Sequence, residues 1–273
     1  MSIQIIDGKK IAAEIRAEIK KEITELGIAP GLAVILVGAD PASHLYVGLK
    51  EKAAAEVGIH FEKYLFFATE PEEKIIAKIQ ELNERPDIHG IVVQLPLPQG
   101  YDENKIVAAI DPKKDADGFH PENIKKILAG EPENIPPVIS GILKLIESTG
   151  TELVNKKIAI LANSEILAKP LEKILTGNDI KTIIAPETLT TEISDADIVI
   201  TALGRAKIIT ADAIKPGAIL IDVGTTRMDD GTTVGDIDFE SAATKACFIT
   251  PVPGGVGPMT VAELLRNVLN LAK

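Results

Sequence analysis

The chain has 273 residues, 45% hydrophobic and 25% charged, enough for two domains of ordinary size with a core each and typical of a globular protein. Lysine and arginine number 29 against 40 aspartates and glutamates, and the resulting net charge of −11 repels a phosphate backbone, so no nucleic-acid partner is expected. There is no apolar run of eighteen residues and no basic-apolar leader, and no His/Cys pair has metal-site spacing, so the expectation is a soluble, cytoplasmic protein without membrane span or metal.

Taken in chain order, Ile11, Ile15, Ile19, Ile23 and Leu26 mark a first amphipathic helix. GLAVILVG (31–38) is an uninterrupted apolar run, as expected of a strand buried on both faces. Asp40 caps, and Pro41 opens, a helix running to about Val57. A strand near 59–67, a helix near 71–83, a strand IHGIVVQ (88–94) and a short helix near 102–109 complete a first α/β unit. EPENIPPVISG (131–141) supplies turn residues and then a new helix, which puts the crossover to a second domain near 136–150. The pattern restarts with KKIAILA (156–162), DIVITAL (197–203) and GAILIDVG (217–224), and the lone cysteine, Cys247, reads as a core residue of a late strand. Strands rich in Ile and Val that alternate with helices imply an α/β protein of two lobes with parallel sheets, the second lobe Rossmann-like in outline. The division expected is 1–138 and 139–257, with the final helix, 258–273, packing back on the first lobe.

PVPGGVGPMT (251–260) is too rich in proline and glycine for helix or strand, yet VAELLRNVLNLA follows it with Val261, Leu264, Leu265, Val268 and Leu271 at helical spacing. An ordinary tight turn is the plain alternative, but ten residues of this composition read as a binding loop. It feeds a helix N-terminus whose free N–H groups suit an anion or a polar ring.

Tyr46 and Lys50 are four apart and share a helix face, where an aromatic ring would lie beside a proton-transfer group; a solvated lysine next to a boundary tyrosine is the plain alternative. Gln94 ends a strand just before Pro96 and Pro98, where open α/β sheets bind ligands, or else it satisfies loop backbone. In DPKKDADGFHP (111–121), Asp117 has two oxygens for paired N–H donors of an amino-pyrimidine edge, whereas Asp111 and Asp115 read equally as turn or cap residues. His120 reads as structural. In the second lobe the phosphate turn should be ANSEILAKP (162–170), and it contains no glycine.

Together these segments resemble the bifunctional methylenetetrahydrofolate dehydrogenase/methenyltetrahydrofolate cyclohydrolase family. The matching stretches are YVGLKEKAAAEVGI (46–59), GIVVQLPLP (90–98), KKDADGFHP (113–121), IKPGAILIDVG (214–224), GDIDF (235–239) and PVPGGVGPMTVAELLRN (251–267). The resemblance implies tetrahydrofolate derivatives as substrates, bound between two lobes, with NADP or NAD as cofactor. 5,10-Methylenetetrahydrofolate loses hydride to the nicotinamide, and water then converts the methenyl form to 10-formyltetrahydrofolate. It implies Lys50 as the proton-transfer group, Gln94 holding it, Asp117 anchoring the pterin and Tyr46 stacking on the substrate. Pro253, Gly254 and Gly255 would line the folate pocket, and Asn163, Ser164, Gly204, Thr225, Gly257 and Thr260 the cofactor site. A homodimer is implied in the same way.

The departures fall in or near the cofactor lobe. Where the family usually has a glycine-arginine-serine turn followed by Val-Gly-x-Pro, this chain has Ala162, Asn163 and Ser164, then Leu167, Ala168, Lys169 and Pro170. A guanidinium pairs bidentately with a 2′-phosphate, so Asn163 weakens the case for NADP. Ala162 and Ala168 are expected to put methyl groups where backbone would approach the cofactor. The family's cysteine-histidine-serine stretch is replaced by IIAPETLT (183–190), and its Cys-Thr-Pro by Pro137, Val138 and Ile139. A cyclohydrolase with a degenerate cofactor site and a non-catalytic folate binder therefore stand as alternatives to the full bifunctional enzyme.

Overall fold

A computed structural model describes residues 3–186 and 193–273, so part of the 183–190 stretch lies outside the described residues. The chain opens with β1 (Gln4–Ile5) and α1 (Gly8–Leu26). It divides into two compact units, Ala12–Pro137 with Val261–Lys273, and the chain through Ile11 with Val138–Thr260.

In the first unit β2 (Gly31–Val37) lies between β3 (His60–Phe66) and β4 (Gly90–Val93), parallel to both, and α2 (Pro41–Val57) and α3 (Glu72–Asn83) alternate with these strands. All seven residues of β2 are buried, because a central parallel strand has a packed layer on each face. Ala33, Ile35 and Val37 point to one side and meet Ile75, Ile79 and Leu82 of α3 together with Ile91 and Val93. The Asp40 carboxylate accepts the Ser43 N–H (2.7 Å), Pro41 occupies the first turn, and Gly58 ends α2 in the left-handed region. Ile15, Ile19 and Ile23 of α1 are buried; Leu26, expected on the same stripe, is exposed because the helix stops there and Gly27 turns the chain away. Past α4 (Glu103–Val107) the chain returns alongside β4: the Ile91 N–H donates to Lys114 O (2.7 Å), the Ala116 N–H donates to Ile91 O (3.3 Å), and Ile91 and Asp115 form a parallel bridge. α5 (Pro121–Ala129) follows, then α6 (Pro137–Glu147), the first helix of the second unit.

The second unit holds β5 (Lys157–Ala162), α7 (Glu165–Ile174), β6 (Asp179–Ile184), β7 (Ile198–Ala202) and β8 (Ile219–Asp222). Then come the antiparallel pair β9 (Thr226–Arg227) and β10 (Thr233–Val234), α8 (Phe239–Ala242), β11 (Phe248–Ile249) and α9 (Val256–Leu271). Its six-stranded parallel sheet has the order β1-β11-β8-β7-β5-β6, around a core that includes Leu161, Val199, Leu220 and Ile249.

Three expectations need correction. The first eleven residues belong with the second unit, because β1 completes its sheet beside β11. Cys247 precedes β11 and is only half-buried. The proline–glycine run is not wholly irregular: α9 already begins at Val256, and Pro258 is tolerated in the first turn, where a missing N–H breaks no helical bond. No helix among the described residues is long and apolar enough to cross a membrane.

Gly31 starts β2 with its N–H donated to His89 Nδ1 (3.0 Å), so the imidazole must stay neutral at that nitrogen. Burial, followed by the nearby Lys114, lowers the His89 pKa from its ordinary 6.5, with Asp87 opposing. A depressed folded pKa gives stability that is present above the unfolded value and lost as pH falls through the folded one. The thermal midpoint should therefore drop on acidification below about 6.5, and that step should shrink in His89→Gln. Equal pH slopes for the two proteins would remove His89 as its source.

Candidate active site

In the first unit Lys50 stands on α2 with 7% of its surface exposed, and its Nζ donates to Gln94 Oε1 (3.1 Å). Gln94 follows the last residue of β4, where its backbone N–H still donates to Ile35 O (2.9 Å). Its Nε2 donates to Leu95 O (2.8 Å), so the amide cannot flip without putting Nε2 toward an ammonium and Oε1 toward a carbonyl. Residues forty-four apart in sequence are thus joined by a side-chain contact, so Lys50 is buried rather than solvated, while Gln94 also satisfies loop backbone at Leu95 O. Tyr46 lies one turn before Lys50 on α2, partly exposed.

Asp117 belongs to the segment that runs parallel to β4. An isolated parallel bridge sets Asp115 beside Ile91 of β4, and the chain turns at once through residues 116–117, so Asp117 stands on the turn that follows that bridge. The Asp117 carboxylate makes no hydrogen bond among the described residues, whereas Asp115 is buried and fully engaged. Asp115 accepts the Gly118 N–H (3.0 Å), the His120 N–H (2.8 Å) and Asn123 Nδ2 (2.9 Å); burial raises its pKa against these bonds. His120 is structural, its Nδ1 accepting the Glu122 N–H (3.1 Å) at the start of α5.

In the second unit Asn163, Gly204 and Thr225 follow β5, β7 and β8, neighbours in one parallel sheet, and Pro253, Gly254 and Gly255 follow β11 beside β8. These residues emerge at the carboxyl ends of adjacent strands. Asn163 is exposed, with its N–H donated to Ala202 O (3.1 Å), and Ser164 occupies the N-cap of α7 without a side-chain capping bond. Gly254 O accepts the Lys9 N–H (3.1 Å), while Gly257 and Thr260 lie in the first turns of α9, Thr260 Oγ1 donating to Val256 O (3.2 Å). Ala162 and Ala168 are 1% and 0% exposed, so their methyl groups face the core; the expected obstruction of the phosphate turn does not occur.

The sequence profile described as "Tetrahydrofolate dehydrogenase/cyclohydrolase, catalytic domain" matches residues 6–117, and its NAD(P)-binding partner profile matches residues 136–273. This chain belongs to the tetrahydrofolate dehydrogenase/cyclohydrolase family. It is 45% identical to the bifunctional protein FolD of Geobacillus thermodenitrificans over 280 residues, covering 100% of this chain and 98% of the other. The bifunctional FolD structure from Campylobacter jejuni aligns with a TM-score of 0.94 at 38% identity over 99% of each chain. The FolD structure from Trypanosoma brucei, complexed with NADP cofactor and inhibitor, aligns at 0.95 and 34% identity over 100% of this chain and 98% of that one.

The NAD(P)-binding unit of this family member is organised by two buried aspartates that were not singled out in the sequence. Asp236 accepts Thr201 Oγ1 (2.8 Å), the Leu203 N–H (2.6 Å) and the Arg205 N–H (2.8 Å), clasping the turn that carries Gly204. Asp222 accepts the N–H groups of Gly224 (3.0 Å), Asp236 (3.1 Å) and Ile237 (2.8 Å). A Cβ on Gly224 would lie 2.1 Å from the Asp236 carboxyl carbon, so that position has no room for a side chain. The sequence signal was there in Asp-Val-Gly (222–224) and Gly-Asp-Ile-Asp (235–238), aspartates beside glycines at close backbone approaches. A nicotinamide dinucleotide fits the turns so held. The α7 N-terminus keeps N–H groups without a side-chain cap, and the space beside Gly204 and Gly257 is open to 4 Å.

Burial pushes the Asp222 pKa up to about 7, with the neighbouring Asp236 adding to it and the three N–H donors opposing. A raised folded pKa gives stability that is complete below the unfolded value and lost as pH climbs through the folded one. The difference in thermal midpoint between wild type and Asp222→Asn should therefore narrow from about pH 4 to about pH 7 and level off above. A difference that stays constant across that range would rule out the titration of Asp222.

Proposed function

We propose that this chain carries out both reactions of its family, oxidising 5,10-methylenetetrahydrofolate to the methenyl form and hydrolysing that to 10-formyltetrahydrofolate. The observation that carries the proposal is the Lys50 Nζ to Gln94 Oε1 bond, a buried amine held by an oriented amide at the carboxyl end of a parallel sheet. The methenyl carbon is electrophilic because the substrate is already cationic, and Lys50 is the proton-transfer group for the water that attacks it. Lys50 takes the proton from the water that adds to the methenyl carbon and returns a proton to the ring nitrogen as that carbon–nitrogen bond opens. Gln94 keeps the amine aimed by accepting one of its protons. Asp117, with both oxygens unused, accepts the paired N–H donors of the pterin edge, and Tyr46 offers a ring face to the substrate's aromatic portion.

In the oxidative half, bound NADP or NAD takes up the hydride, and the protein contributes orientation above all. Asn163, Ser164, Gly204, Thr225, Gly257 and Thr260 hold the cofactor, and Pro253, Gly254 and Gly255 line the folate side. The T. brucei relative holds NADP, but Asn163 offers no guanidinium for a 2′-phosphate, so the preference between NADP and NAD rests on this turn. The chain acts in the cytoplasm as a homodimer, as the family resemblance implies; light scattering of the purified protein measures the latter.

Lys50→Ala should lower methenyl hydrolysis at least about a hundredfold while reduced-folate binding remains measurable; undiminished hydrolysis would remove Lys50 from the chemistry. Asn163→Arg should tighten NADP binding relative to NAD by about tenfold, roughly 1.4 kcal/mol. An unchanged ratio of the two dissociation constants, by titration calorimetry, would move the discrimination elsewhere. Reduced cofactor failing to form with both nucleotides, with hydrolysis intact, would leave the cyclohydrolase alone.

A further inference from the structure

Asn267 lies on α9 in the part of the chain that belongs to the first unit, and only 8% of its surface is exposed. Its Nδ2 donates to Ala116 O (3.1 Å) and to Ile135 O (2.9 Å). An amide nitrogen has two protons, and here both go to backbone carbonyls of separate loops. The helix thus staples the segment around 116 to the segment around 135. The two segments already meet at backbone contact: Gly118 has φ +71°, and a Cβ there would lie 2.8 Å from Pro136 N. Asn134 Nδ2 adds a third tie, to Asp115 O.

Three backbone groups around residue 117 are therefore engaged. The 115 carbonyl is held by Asn134, the 116 carbonyl by Asn267 and the 118 N–H by the Asp115 carboxylate. The Asp117 side chain has no hydrogen bond of its own among the described residues, so its direction is set by this backbone. We propose that Asn267 is a positioning residue for folate binding, acting through the 115–118 backbone to aim the Asp117 carboxylate. The proposal rests on Asp117 being the pterin anchor. A substitution at 267 leaves the buried Ala116 carbonyl and the part-buried Ile135 carbonyl without their donor, and the loop recovers the first only by moving toward water, which turns Asp117 away.

The test is a double-mutant cycle on the full-length protein, with Asn267→Ala, Asp117→Ala and the combination, and 5-formyltetrahydrofolate as the titrated probe. Asn267→Ala should weaken binding of this reduced folate about tenfold in the wild-type background and by less than about twofold when Asp117 is already alanine. NADP affinity should stay the same in all four proteins. Equal weakening in both backgrounds, or none in either, would overturn the role assigned to Asn267. If instead Asp117→Ala binds the probe as tightly as wild type, the pterin anchor itself is wrong. Should Asn267→Ala fail to fold, Asn267→Ser retains a short donor and is read in the same cycle.

Discussion

Three carboxylates buried against backbone N–H groups hold the turns on which both halves of this enzyme depend. A carboxylate taken from water is costly unless its oxygens are filled, and an N–H buried without an acceptor costs about 1–3 kcal/mol. Each pairing therefore satisfies two demands at once and fixes a loop that has no regular ladder of its own. Asp115 does this for the segment bearing Asp117, while Asp236 and Asp222 do it for the turns after β7 and β8. The shared feature is placement where regular pairing stops: Asp222 is the last residue of β8, Asp236 follows the two-residue β10, and Asp115 makes a single isolated bridge to Ile91.

This division of labour distinguishes two neighbouring carboxylates of the first unit. Asp117, two positions from the saturated Asp115, makes no side-chain hydrogen bond among the described residues. The same logic operates across β7 and β8, where Gly224 is empty of side chain because Asp236 fills its space, and Gly204 opens outward. A glycine-rich fingerprint is one way to let phosphate approach a sheet edge. Here the first strand-to-helix turn lacks glycine, yet Ala162 and Ala168 turn their methyls into the core, and the open positions lie at Gly204 and Gly257.

Much of the first unit was legible because its signals are local. The seven apolar residues of β2 and the Asp40–Pro41 start of α2 reflect burial on two faces and helix capping, each settled within a few residues. The pairing of Lys50 with Gln94 was not legible from spacing, since a contact across forty-four residues depends on which strand lies beside which; helix spacing and a strand end marked the two residues separately, and family resemblance joined them. Cys247 and the first eleven residues were misplaced for a related reason. Two-residue strands such as β1 and β11 carry almost no periodic signal and exist only because a longer sheet offers them an edge. The helical start at Val256 was hidden by composition, because proline is penalised for a bond that the first turn of a helix does not make.

The amine and the carboxylate of the folate unit are held by different means, and this has a chemical consequence. Lys50 sits on a rigid helix and is aimed by a side chain that is itself locked to Leu95 O, so its geometry tolerates little movement. Asp117 sits on a loop whose position is the sum of several long-range bonds from α9 and from Asn134. Proton transfer requires reach within a hydrogen-bond length, whereas anchoring a pterin requires only that two acceptor oxygens find their donors. On the proposed roles, the tighter support belongs to the proton-transfer group, Lys50, and the loop-borne one to the pterin anchor, Asp117. Substitutions far from both side chains should then separate the two properties, altering affinity through the loop while the hydrolytic step on bound substrate persists.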